Sequence, residues 1–407
     1  MISQIKEEPK SKSVFSFFVI YVAITCMVYI LPSFKLQVPY LLAGSLMLVS
    51  FPVLMTKNPR WVTYAFFLLG ATAITFFSNC LISQWGLVNA VNDAIRNIRF
   101  FLPVIWGCYA VKYCSPKQKK AILIVFLIIT LFITFKTLKA LEENAWIARI
   151  LAQDQSTSTV EVNSYRLDNV GGYPFSYMMG PVTLLFFWSC IHTKKFWCKI
   201  ITAVAVIICY YFIIQTMYTT LLLLTTIGIV MIFFFHVKNV IGKMLLVGLA
   251  IAVIFSLAEI FDYLSVFFGE DSLLSTKFAN MHGSLTGGGL DSLGLRPQLM
   301  SQAIENWLKT PIFGGAYSTP SHSLLFELLQ QNGVVGFCIW WSIFIMSWKM
   351  ITDTLKMNDI NPLLFHIVML YFTELSIFND TRYTFEITII VFFITPVFCS
   401  IFCEKKG

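Results

Sequence analysis

The residues best suited to chemistry in this chain are one imidazole and three guanidiniums set apart in otherwise apolar sequence. His322 follows Ser-Thr-Pro-Ser and stands where the sequence turns back into a helical pattern, with Ser321 expected as the N-cap. The positive end of a helix dipole disfavours imidazolium, so His322 is expected in the neutral form that a general base needs. Arg166 lies in SYRLDNVGGYPF, just before an apolar run, and Arg296 directly follows a Gly-rich hinge, GSLTGGGLDSLG. Each is nearly alone in its segment. Arg382 falls in the Asp380-Thr381-Arg382 turn and is placed to complete a basic pocket with them, or to be neutralised by Asp380. Planar, permanently charged forks of this kind suit recognition of phosphate-like oxyanions better than lysine does.

Membrane helices must position these residues. Of 407 residues, 57% are apolar and only 12% charged, against roughly 45–50% and 25% in soluble domains. Water cannot solvate that much apolar surface, so the expected class is all-α, a polytopic transmembrane helical bundle forming one membrane domain over 1–407. Apolar runs long enough for a hydrocarbon core fall at 14–31, 40–55, 61–81, 94–111, 121–140, 173–191, 197–215, 217–235, 241–261, 323–348, 363–379 and 383–402, about 12 spans. The first lacks a small-residue cleavage site and is expected to be retained.

The net charge of +8 does not mark a nucleic-acid protein, because the basic residues fall in short runs between spans. Most of the 29 Lys and Arg lie in alternate loops, which puts both termini in the cytoplasm. Two long segments, 141–172 and 262–322, are then extracytoplasmic loops, and loops of that length are usually functional or disordered. The first opens with LEENAWIARILAQD, where Leu141, Ala145, Ala148 and Leu151 recur at the spacing of an amphipathic interfacial helix. The second is expected to hold a helix over 297–309. The ten cysteines show no paired spacing of a disulfide framework or zinc site. Gly287-Gly288-Gly289 lacks the Lys-Ser/Thr of a P-loop and reads as flexible backbone.

Around His322 the spacing becomes more specific. His322-Ser323, nine residues, then Gly333-Val334-Val335-Gly336 resembles the His-[Asn/Ser/Gln], nine residues, Gly, two residues, [Gly/Thr/Tyr] pattern of the O-antigen ligase and O-antigen polymerase superfamily. The lead-in is similar too: Arg296, a helical stretch, then Pro311-Ile312-Phe313-Gly314-Gly315. The likeness extends more weakly over 160–400. It implies a GT-C-like membrane glycosyltransferase working at the periplasmic face of the bacterial inner membrane without metal or other cofactor. Its partners would be undecaprenyl-pyrophosphate-linked glycans, membrane lipids and a chain-length regulator, and no nucleic acid. The family's base and loop arginines map to His322, Arg166 and Arg296. One departure stands out: where family members often carry an Arg after a Thr, this chain reads Gln215-Thr216-Met217-Tyr218-Thr219, with Met217 in the place of the Arg.

Polymerase and ligase both fit that pattern. Only 25 residues separate Arg296 from His322, a compact loop that favours chain polymerisation over transfer to a lipid A-core acceptor. A flippase or secondary transporter is the alternative of another class, but such folds show two related halves, and no internal repeat is present here. Arg96 and Arg99 share one helix face at the edge of a span, Glu374 interrupts an apolar run, and Glu327 lies off the face of His322. His192, His236 and His366 read as structural or interfacial, and His282 as part of a mobile loop.

Overall fold

A computed structural model describes residues 21–22, 24–25, 29–37, 59–81, 86–153, 160–269, 272–286, 295–314, 322–379, 381 and 384–403. The expected span at 40–55 lies outside them. The chain is all-helical, with no strand among the described residues. Its helices are α1 (Pro32–Gln37), α2 (Pro59–Leu81), α3 (Gly86–Tyr113), α4 (Pro116–Glu143), α5 (Ile147–Gln153), α6 (Val160–Leu167), α7 (Tyr173–His192) and α8 (Phe196–Gln215). They continue as α9 (Thr219–His236), α10 (Val240–Phe255), α11 (Leu257–Phe267), α12 (Leu273–Thr286), α13 (Leu295–Lys309), α14 (Leu324–Met357), α15 (Leu363–Phe378) and α16 (Phe385–Phe402).

Among the described residues, α4, α7, α8, α9, α14 and α16 are each long and apolar enough to cross a membrane. The run expected as one span at 241–261 is two helices, α10 and α11, bent by 59° at Ser256. The backbone inside these helices is satisfied locally, and so are many of their hydroxyls, although those of Thr130, Thr219 and Thr352 are buried with no partner among the described residues. Thr134 and Thr137 return theirs to the carbonyls of Thr130 and Ile133 at 2.8 and 2.7 Å, which removes the cost of a lone hydroxyl in an apolar medium. Apolar side chains such as Phe196, Trp197, Ile207 and Leu249 stay exposed on α8 and α10, and α10 buries no residue at all. A lipid solvent makes that surface stable where water would not.

The core lies where α3, α14, α15 and α16 meet. Phe100 packs 5.4 Å from Trp340 and 5.7 Å from Phe372, and Phe372 lies 5.7 Å from Phe392. The most buried helix, α16, is π-helical over Ile389–Ile394, closed by the Thr395 hydroxyl on the Ile390 carbonyl at 2.7 Å. Pro396 offers no N–H to the preceding turn, which favours this local widening. The Phe392 carbonyl comes so near Gly107 that a Cβ there would sit 2.1 Å from it.

The amphipathic helix expected over LEENAWIARILAQD is broken. Asn144 caps α4 in extended conformation, and α5 starts at Ile147. Leu141 therefore lies buried in the last turn of the long helix, while Ala148 and Leu151 bury the short one against its neighbours α4 and α7.

Candidate functional site

Arg166 occupies the last turn of α6 and is half-buried. Its helix ends in a Schellman motif: Asn169, at φ 62°, donates its N–H to the Arg166 carbonyl at 3.1 Å, and Val170 donates to Tyr165 at 3.0 Å. Asparagine accepts this left-handed conformation at little cost. The Asn169 side chain then ties the segment down, its Oδ1 receiving the Ser33 hydroxyl at 2.7 Å and the Ser33 N–H at 3.2 Å. Gly171 donates its N–H to the Thr137 hydroxyl at 2.7 Å. The guanidinium is thus hung from a loop fixed to both α1 and α4, immediately before α7.

The two glycine motifs of the second segment are one structural unit. Helix α14 is not straight: Gly333, at φ 62° and ψ −169°, breaks it into 324–332 and 334–357. At the break Val334 donates to the Pro311 carbonyl at 2.9 Å, and Val335 to Ile312 at 3.2 Å. Gly314, at φ 78°, turns the opposing strand of chain, and its N–H closes on Thr310 at 3.0 Å. A Cβ at Gly333 would lie 2.3 Å from the Ile312 carbonyl oxygen, and one at Gly314 2.3 Å from that of Gln331. Both the backbone conformation and the space therefore demand glycine. The apolar run expected as a span at 323–348 falls within α14, which remains long and apolar enough to cross a membrane but is broken at Gly333.

His322 stands at the head of the first half-helix, exposed, with φ 55°. The N-cap is Ser323, not Ser321, so His322 sits one residue outside the helix in a left-handed conformation that non-glycine residues adopt rarely. Arg296 is the second residue of α13, whose backbone the structure describes, and α13 packs against α14. Both helices run in chain direction toward the Gly333 junction, so Arg296 and His322 mark their upstream ends. Arg382 lies outside the described residues. The backbone at Arg96 and Arg99 is helical within α3.

The other residues singled out in the sequence take the following places. Glu327 is buried, its Oε2 accepting from Gln330 and Gln331 at 3.0 and 3.1 Å. His366 accepts from the Trp348 indole at 2.8 Å, and His192 stacks on Trp188 at 4.1 Å with His236 edge-on at 5.5 Å. His282 belongs to helix α12, where its Nδ1 meets the Ala258 carbonyl at 2.9 Å. The expectation of a mobile loop at that position is corrected. Glu374 is half-buried on α15.

Sequence reasoning missed a cluster at the break between α8 and α9. Lys277, wholly buried on α12, donates its ammonium to the side-chain oxygen of Gln215, the last residue of α8. Burial pushes its pKa down to about 8. Met217 is held at φ 57° and packs with Phe261, Phe278 and Met281. Beside it, Tyr173, Tyr177 and Tyr218 bring their rings within 4.6–5.7 Å of one another. Nothing in the sequence separates Lys277 from other loop charges, because its burial depends on how the α11–α12 hairpin docks. No protein-family model matches the chain, and no curated protein matches it in sequence.

Proposed function

We propose that the protein is a membrane glycosyltransferase that polymerises undecaprenyl-pyrophosphate-linked oligosaccharide repeats into an O-antigen or capsule-type polysaccharide. In this reading the chain crosses the bacterial inner membrane about 12 times in a GT-C-like arrangement. Both termini face the cytoplasm, and the 141–172 and 262–322 segments lie at the periplasmic face. Its partners are the lipid-linked glycans, the surrounding lipids and a chain-length regulator.

The observation that supports this reading most is the Gly314–Gly333 junction. Two stretches singled out by their resemblance to the ligase and polymerase pattern form one backbone lock. That lock gives the nine-residue interval after Ser323 a physical meaning: it is the length of the half-helix headed by His322.

The chemistry follows from charge. His322 takes the proton from a hydroxyl of the incoming lipid-linked repeat as that oxygen attacks the anomeric carbon of the growing chain. The anomeric C–O bond to undecaprenyl pyrophosphate breaks, and its electron pair leaves on the diphosphate. Arg166 and Arg296, with Arg382, bind that diphosphate and stabilise the charge it gains. Direct displacement inverts the anomeric configuration.

The test uses purified protein in detergent and a radiolabelled lipid-linked repeat. Growth into longer, inverted chains is the expected result. Transfer only to lipid A-core would reassign the protein as a ligase, and movement of substrate across a vesicle without new glycosidic bonds would make it a transporter.

A further inference from the structure

Lys277 is the one wholly buried lysine among the described residues, and its ammonium has a single neutral acceptor, Gln215. An ammonium holds three donors, and no described carboxylate pairs with this one. A charge buried on such terms either loses its proton or acquires an anion.

The surroundings favour the anion, since they add further donors. Helix α9 begins at Thr219, four residues past Gln215, and its N-cap Tyr218 makes no side-chain cap. The Tyr218 hydroxyl is instead turned to the Ala148 carbonyl at 3.0 Å. The first N–H groups of α9 thus have no side-chain acceptor at the cap, and the Thr219 Oγ1 is buried with no hydrogen-bond partner among the described residues. Helix α12 lies across this break, because Phe278 and Met281 share one small apolar cluster with Ile214, Met217 and Leu222. Among the described residues of the hairpin the acidic groups, Glu259 and Asp262 on α11, are exposed, and His282 is turned to Ala258.

We propose that Lys277, the Thr219 hydroxyl and the N-terminus of α9, with Gln215 orienting the ammonium, form a binding site for a phosphate or diphosphate oxyanion. The α11–α12 hairpin covers this site. Its natural occupant as a lipid-linked diphosphate rests on the glycan-transfer reading; the anion chemistry stands apart from it. The lowered pKa agrees with an ammonium waiting for its counter-charge.

The experiment titrates inorganic pyrophosphate into the purified full-length protein in phosphate-free detergent, read by calorimetry and by thermal unfolding. Wild type binds at pH 7, and Lys277→Met binds at least about tenfold more weakly. Thr219→Val weakens binding less. Wild-type affinity falls between pH 7 and 9.5 as the amine loses its proton, whereas Lys277→Arg binds with no such fall. Repeating the titration in nanodiscs identifies the source: competition by phosphatidylglycerol but not phosphatidylcholine assigns the site to a lipid headgroup, and equal affinity in both assigns it to a diphosphate. Absence of wild-type binding overturns the site, as does equal affinity in a cooperatively unfolding Lys277→Met. Should that variant not fold, a pH profile of Lys277→Arg matching wild type overturns it. Pyrophosphate binding through Lys277 in a protein that extends no chain sinks the polymerase reading and leaves this site standing.

Discussion

Val334 donates its backbone N–H to the carbonyl oxygen of Pro311 at 2.9 Å, binding α14 at its break to the turn that follows α13. This contact exists because Gly333, at φ 62°, lifts one peptide unit out of the helix, and because neither Gly333 nor Gly314 brings a Cβ into the gap.

Alanine at Gly333 or Gly314 is therefore expected to destabilise the protein. The left-handed conformation alone costs about 1–3 kcal/mol for a residue with a Cβ, and the steric clash adds to it. Thermal unfolding in detergent checks this, with Gly70→Ala as the control, since a Cβ at Gly70 meets nothing within 4 Å. A Gly333→Ala variant as stable as the Gly70 control would show that the junction is not held as described.

His322 needs a variant that keeps its φ of 55°. Asparagine tolerates that conformation but is no base. His322→Asn is expected to unfold at the wild-type temperature while chain extension falls by about 10²–10⁴. Retained activity in this variant excludes the imidazole as the base.

Asn169 is expected to matter through Arg166. Glycine there keeps the left-handed backbone but loses both bonds to Ser33, at a cost of about 1 kcal/mol each. The measured consequence is a raised KM for the lipid-linked donor with kcat less affected, and Ser33→Ala should reproduce part of it. An unchanged KM in both variants would separate Arg166 from donor binding.

Lys277 gives a pH signature. The folded chain lowers its pKa from 10.5 to about 8, so the unfolded chain holds the proton more tightly. Below about pH 8 both states are protonated and the effect on stability is constant. Between about 8 and 10.5 only the unfolded state keeps the proton, so stability rises with pH. The wild-type minus Lys277→Met difference in unfolding temperature should follow that slope and cancel the tyrosine and cysteine titrations common to both. A flat difference rejects the buried ammonium.

The amino-acid order determined the medium and much of the helical plan. Helices over 116–143, 173–192, 196–215 and 219–236 lie where the long apolar runs lie, because lipid solvation depends on local composition alone. The Gly314 and Gly333 motifs were also visible, as spacing without meaning. What only tertiary structure decided was partnership: the junction that breaks α14, the Ser33–Asn169 tether of Arg166, and the burial of Lys277 against Gln215. Each joins residues from separate elements. Local propensity cannot foresee such contacts, because their energy comes from docking surfaces that exist only once the helices are packed.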